Sequence, residues 1–124
     1  NAAASLQRYR SLLEDARAGR VAYPGISEVN ARLGMAQELD LLCDFDHAIE
    51  QLRLVIAEQP AAPYASMARA YDQLGAALDR TGHRSDALDA YRRALAAIPS
   101  DDRLALNAKV RDGLKRPAIG RICR

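Results

Sequence analysis

Three stretches of this chain repeat one pattern of apolar spacing. In LDAYRRALAAIP from Leu88, IEQLRLVIAEQP from Ile49 and LQRYRSLLEDAR from Leu6, apolar residues fall at i, i+3, i+6 and i+7. That spacing puts them on one face of a helix, and no strand-like alternation competes with it. Leu88 aligns with Ile49, Tyr91 with Leu52, Arg92 with Arg53, Ala94 with Val55, Leu95 with Ile56 and Pro99 with Pro60. Leu6, Tyr9, Arg10, Leu12 and Leu13 fit the same frame without a closing proline. A recurring unit cannot bury its apolar stripe alone, so its copies must stack.

Each of the two fuller segments follows another amphipathic helix. ASMARAYDQLGAALDRTG carries Tyr71, Leu74 and Leu78 on one side, and SEVNARLGMAQELDLL carries Val29, Met35, Leu39 and Leu42. Ser27 and Ser85 suit helix starts, Gly82 suits a helix end, and Pro24-Gly25 marks a turn. The pattern predicts six helices, at 3–18, 27–42, 46–59, 64–81, 85–98 and 102–114, with ends good to about 2–4 residues. Short links force antiparallel neighbours.

The chain has 124 residues, the size of one ordinary domain. With 49% hydrophobic residues, 5% aromatic and no Trp, its core must be built from Ala, Leu, Ile and Val at close helix–helix contacts. No apolar run reaches the ~20 residues that span a bilayer, so no membrane is expected. A net charge of +2 is too balanced to imply nucleic acid or an acidic membrane surface. Only Lys109 and Lys115 among the 18 basic residues are lysine; Ala and Arg in place of Lys suggest a GC-rich, bacterial genome. A chain that begins at Asn1 without Met is expected to be a piece of a longer protein. Cys43 and Cys123 form no CxxC and have no His pair nearby, so zinc is not supported; whether they pair, the sequence leaves open.

One run of residues resembles a family. Tyr71-x2-Leu74-Gly75-x2-Leu78, then Ala87-x3-Tyr91-x2-Ala94-Leu95, then Pro99, is similar to one complete tetratricopeptide repeat, with Tyr71 where Trp is usual and Leu78 where Tyr is usual. The preceding unit resembles it more loosely: Met35-Ala36 stands at the Leu-Gly position, Leu39, Phe45, Ala48, Leu52, Val55 and Pro60 fit, and Arg32 replaces Trp. Leu33-Gly34 offers another register but breaks the spacing to Ala48. The resemblance implies a right-handed α-solenoid of antiparallel helix pairs. It divides the single domain 1–124 into a half-repeat helix (3–18), repeats at 29–62 and 68–101, a capping helix (102–114) and a basic tail (115–124). Gly75 and Ala87 then let two helix backbones approach, and Tyr91 and Ala94 pack the pair against its neighbour. Pro60 and Pro99 stand further apart than the ~34 residues of a regular repeat, so loops or longer helices must absorb the excess.

The resemblance also implies a function: a scaffold that holds another protein or peptide on its concave face, lined by the first helix of each pair. The expected groove residues are Asn30, Leu33, Gln37, Asp40 and Leu41 from one helix, and Arg69, Asp72, Gln73, Ala76, Asp79 and Arg80 from the next. An ordinary solvated helix face is the bland alternative. The family's carboxylate clamp of Lys and Asn is not matched, since Leu33, Gln37 and Gln73 stand there.

No HExxH, GxSxG, P-loop or GxGxxG occurs, so no catalytic, cofactor-binding or metal site is expected and the chain is read as a non-enzyme. His47 and His83 read as solvated or capping residues. Asp44 and Asp46 read as a helix-start acid pair and Ser66 as a cap or surface residue. The basic tail, with Arg103, Lys109, Arg111, Lys115, Arg116, Arg121 and Arg124, reads as a solvated cap helix with a loose end. It also carries an alternative, phosphate or nucleic-acid binding, although no aromatic residue interleaves for base stacking. A further alternative is a non-catalytic accessory domain of a larger bacterial enzyme. Partner identity, compartment and oligomeric state are not in the sequence.

Overall fold

The computed structural model describes residues 1–120 and Cys123. Among them every regular element is an α-helix: α1 (Ala2–Arg17), α2 (Pro24–Leu41), α3 (Phe45–Glu58), α4 (Ser66–Arg80), α5 (Arg84–Ala97) and α6 (Leu106–Lys115). The fold is all-α with six helices, as the apolar spacing predicts. None of the helices is long and apolar enough to cross a membrane.

Several ends differ from expectation, each for a local reason. α2 starts at Pro24 rather than at Ser27. Proline has no N–H to leave unsatisfied in the first turn, so it opens the helix instead of forming a turn before it. α5 starts at Arg84 after His83, which displaces Ser85 from the capping position. α4 starts at Ser66, because residues 60–65 form the loop that absorbs the extra repeat length. Ser66 is buried and donates its hydroxyl to the Pro60 carbonyl at 2.9 Å, so it is neither exposed nor a cap. α6 starts at Leu106, and Asp102 stays outside it: its carboxylate accepts the Leu106 and Asn107 amides at 2.7 and 3.0 Å. That satisfies two of the donors a helix start leaves open. The preceding turn is tied to the earlier loop by Tyr64, whose hydroxyl donates to Asp101 at 2.7 Å and accepts the Arg103 amide at 2.8 Å. The Arg103 guanidinium lies 4.0 Å from the Tyr64 ring centre.

Each helix packs against the next in the chain, and α2 also touches α4, and α4 touches α6. Among the described residues the backbones of α1, α3 and α5 do not come within 8 Å of one another, Cα to Cα. The helices therefore form two layers, with α2, α4 and α6 in one and α1, α3 and α5 in the other. The largest fully buried side chains, Tyr91, Leu33, Leu52, Val55 and Val110, lie along the seam.

Two tyrosines from the α1/α3/α5 layer set the helix spacing. The Tyr91 ring occupies a notch made by Gly75 of α4 and Gly113 of α6; a Cβ on either would come within 2.5 and 2.7 Å of its Cε1. Tyr9 of α1 fills the matching notch at Gly34 of α2. The glycine in Leu33-Gly34 is thus accounted for by the preceding helix, not by the repeat register that follows.

Candidate functional site

The central helix α4 presents a line of residues at helical spacing, Arg69, Gln73, Ala76 and Arg80, toward α2 and α6. They line a cavity of about 420 Å3 together with Gln37 and Asp40 of α2, Ala48 and Leu52 of α3, and Leu104, Leu106 and Lys109 from the α6 end. Its apolar floor comes from the core, and its polar rim from the α2, α4 and α6 layer.

Two ion pairs across the layer fix this rim. Arg80 forms a two-pronged pair with Asp40 of α2 at 2.8 and 2.9 Å, both side chains largely buried. Asp72, itself buried, takes the Lys109 ammonium of α6 at 3.0 Å. These pairs consume the charges of four groove residues. Three polar side chains of the lining remain unspent among the described residues: Gln37, exposed at the rim, Arg69 and Gln73. The Arg69 side chain has no hydrogen bond or ion pair among the described residues. Gln73 Oε1 is buried without a hydrogen-bond partner. Such an atom forgoes about 1–3 kcal/mol, and being closed off from solvent it faces packed protein and not the open space of the cavity.

Of the residues expected in the groove, Gln37, Asp40, Arg69, Asp72, Gln73, Ala76 and Arg80 do line this cavity. Leu33 does not: at 1% exposure it belongs to the core. Asn30 is exposed on α2 away from the cavity. Leu41 lines a second, shallower cavity beneath the C-terminal segment. Asp79 is also displaced from the groove. Its side chain is fully buried, accepts two bonds from Arg84 at 2.9 and 3.1 Å, and accepts the Tyr91 hydroxyl at 3.0 Å. Burial and then the bond to Asp79 hold the Tyr91 phenol above its ordinary range.

Asp79 and Arg80 together hold Ala118 and Ile119, so the chain just past α6 is not loose there. The Ala118 amide donates to Asp79 Oδ2 at 3.0 Å, Arg80 Nε donates to the Ile119 carbonyl at 3.1 Å, and Arg84 donates to the Leu114 carbonyl at 3.1 Å. Cys123 is disulfide-bonded to Cys43, just past α2, with Cα atoms 5.8 Å apart. Residues 116–120 thus run from α6 over α4, and Cys123 lies at the end of α2. Of the basic residues there, Arg116 pairs with Asp112, Arg111 with Asn107, and Arg103 with Asp101. Arg121 and Arg124 lie outside the described residues.

Both histidines are exposed beside helix starts. His47 sits against the N-cap carboxylate of Asp44 at 2.7 Å, which raises its pKa above the usual 6.5. His83 Nδ1 lies 2.9 Å from the Thr81 hydroxyl. Among the described residues no group of three His, Cys, Asp or Glu side chains is placed to hold a metal ion.

Lys109, Leu104 and Leu106 are groove residues that sequence reasoning missed. No sequence signal singled them out, because Asp72 already has an opposite charge, Arg69, three residues earlier on its own helix. No family model, curated protein or solved structure matches this chain.

Proposed function

We propose that this chain is a tetratricopeptide-like right-handed solenoid and a non-catalytic scaffold that holds a peptide or protein segment on the face formed by α2, α4 and α6. The observation that carries the reading is the cavity between these helices, about 420 Å3, lined by Gln37, Arg69 and Gln73 between two ion pairs. Its size falls in the ~300–1,000 Å3 range of ligand sites. Stacked helix pairs present a concave surface of this kind, and the alternation of two helix layers supports that architecture here. The phosphate-binding alternative has less support, because the segment's backbone is held by Asp79 and Arg80 and several of its cations are paired.

The test is site-specific photocrosslinking. A photoreactive residue at Gln37, exposed at the groove, is compared with one at Arg53 on α3. The reading expects a partner protein from the source organism to crosslink at position 37 and not at 53. Crosslinking confined to position 53 would contradict it.

A further inference from the structure

We propose that residues 117–120 form a strap latched by the Cys43–Cys123 bond. With the bond closed, the strap covers the Arg80 end of the groove and confines a partner to the Arg69 end. With the bond open, the Arg80 end receives an extended partner segment in the strap's place. This deepens the groove reading above and rests on it.

The strap lies on the groove itself. Residues 117–120 form one side of the second cavity, about 740 Å3, whose other walls include Leu41, Tyr91 and Gly113. That cavity shares Asp72, Ala76, Arg80 and Lys109 with the first. The two are adjoining parts of one surface, one uncovered beside Gln37 and the other under the strap.

The strap is held through its main chain. Asp79 accepts the Ala118 amide at 3.0 Å, and Arg80 Nε donates to the Ile119 carbonyl at 3.1 Å. Its side chains bury little: Pro117 and Gly120 are exposed, and Ile119 is 86% exposed. Every extended peptide offers an amide and a carbonyl of this kind, so another segment can replace it on the same two residues. Both residues keep partners when the strap leaves. Asp79 retains Arg84 and Tyr91, and Arg80 retains Asp40. No buried charge is then left unpaired, which is what makes such a departure costly elsewhere.

The disulfide decides the balance. It joins the chain beyond the strap to Cys43 at the end of α2. A segment tethered on both sides outcompetes a free one through its effective concentration. Cys123 is exposed and Cys43 half-buried, so a dithiol reaches the bond. In the exchange the dithiol closes to its own disulfide, and its two electrons and two protons leave Cys43 and Cys123 as thiols.

The test uses the full chain with a photoreactive residue at Leu41, exposed beside the strap, or at Arg53 on α3 as the control. The probe is the biotinylated, C-terminally amidated peptide RPAIG, the sequence of residues 116–120. Its companion RPPIG lacks the donated amide. Capture is compared for the oxidised chain, the chain reduced with dithiothreitol, and Cys43→Ser with Cys123→Ser. Circular dichroism checks that helix content is kept. Ala118→Pro in the oxidised chain removes the strap's own amide bond with the disulfide intact.

RPAIG should be captured at position 41 about tenfold more by the reduced and serine chains than by the oxidised one. Ala118→Pro should fall between them, RPPIG should not be captured, and position 53 should capture neither. Amide exchange at Ala118 should accelerate on reduction. Equal capture by oxidised and reduced chains, or equal protection of the Ala118 amide, would overturn the strap. If reduction costs helix content, Ala118→Pro decides, and capture no greater than by the oxidised wild type would overturn it. A partner crosslinked at position 37, with no peptide captured at 41 after reduction, would overturn the strap and leave the groove reading standing. No partner at position 37 in either state would overturn the groove reading and, with it, the partner's use of the uncovered end.

Discussion

The Ala118 amide donates to the buried Asp79 carboxylate at 3.0 Å, so the C-terminal segment is fastened to the centre of the helix array. The same carboxylate neutralises Arg84 and accepts the Tyr91 hydroxyl. Asp79→Ala should therefore cost about 2–4 kcal/mol, because it strands a partly buried guanidinium and two donors. Asp79→Asn should cost less, since an amide oxygen still accepts. Urea midpoints measure both, and amide hydrogen exchange at Ala118 should accelerate in each. A midpoint unchanged by Asp79→Ala would show that this hub contributes nothing to stability.

The Cys43–Cys123 bond closes α3 to α6 into one covalent loop, with 80 residues of sequence separation. Chain entropy for a loop of that size corresponds to about 4–5 kcal/mol. Reduction, or Cys43→Ser with Cys123→Ser, should lower the urea midpoint with the helix content at zero urea retained. Thiol titration of the unreduced denatured protein should find no free thiol. A disulfide persists in oxidising compartments, so the function is expected to be exercised there.

Tyr91 fills a notch whose walls are Gly75 and Gly113, and a Cβ at Gly75 would come 2.5 Å from its ring. Gly75→Ala gains about 1 kcal/mol in helix propensity. It loses about 1–3 kcal/mol to overpacking, and the clash should win. Gly25→Ala, where a Cβ meets nothing within 4 Å, is the control and should be neutral or stabilising. Ala87→Leu, at a fully buried position, should also cost about 1–3 kcal/mol. Thermal unfolding of the three variants separates these outcomes.

The helices were legible because their apolar spacing is regular; the site was legible only in part. Leu33 and Asp79 were expected in the groove on the assumption that each first helix has one partner and an open opposite face. α4 has neighbours on several sides, with α3 and α5 flanking it and α2 and α6 in its own layer. Ala68, Ala70, Asp72, Leu74, Gly75, Ala77 and Leu78 are all buried, leaving little of its circumference open. A two-face amphipathic pattern cannot describe such a helix. The role of Gly34 is not legible for a similar reason, since the Tyr9 ring it accommodates lies in the helix before it. The cysteine pairing was open because separation along the chain does not fix distance in space.

His47 should titrate above 6.5, because its bond to Asp44 favours the protonated ring. The sign follows from the raised folded value. The stability contributed by this pair is full below 6.5 and is lost as pH rises through the higher folded value. Proton NMR titration should show the midpoint fall on Asp44→Asn. A midpoint at or below 6.5 in the wild type would contradict the geometry.

The most direct test of the central claim is an NMR map of the wild-type protein titrated with the partner segment that crosslinks at position 37. Shifts are expected together at Gln37, Arg69, Gln73 and Ala76, with α1 and the outward face of α5 still. Shifts centred on α1, α3 or α5, with Arg69 and Gln73 unmoved, would contradict it.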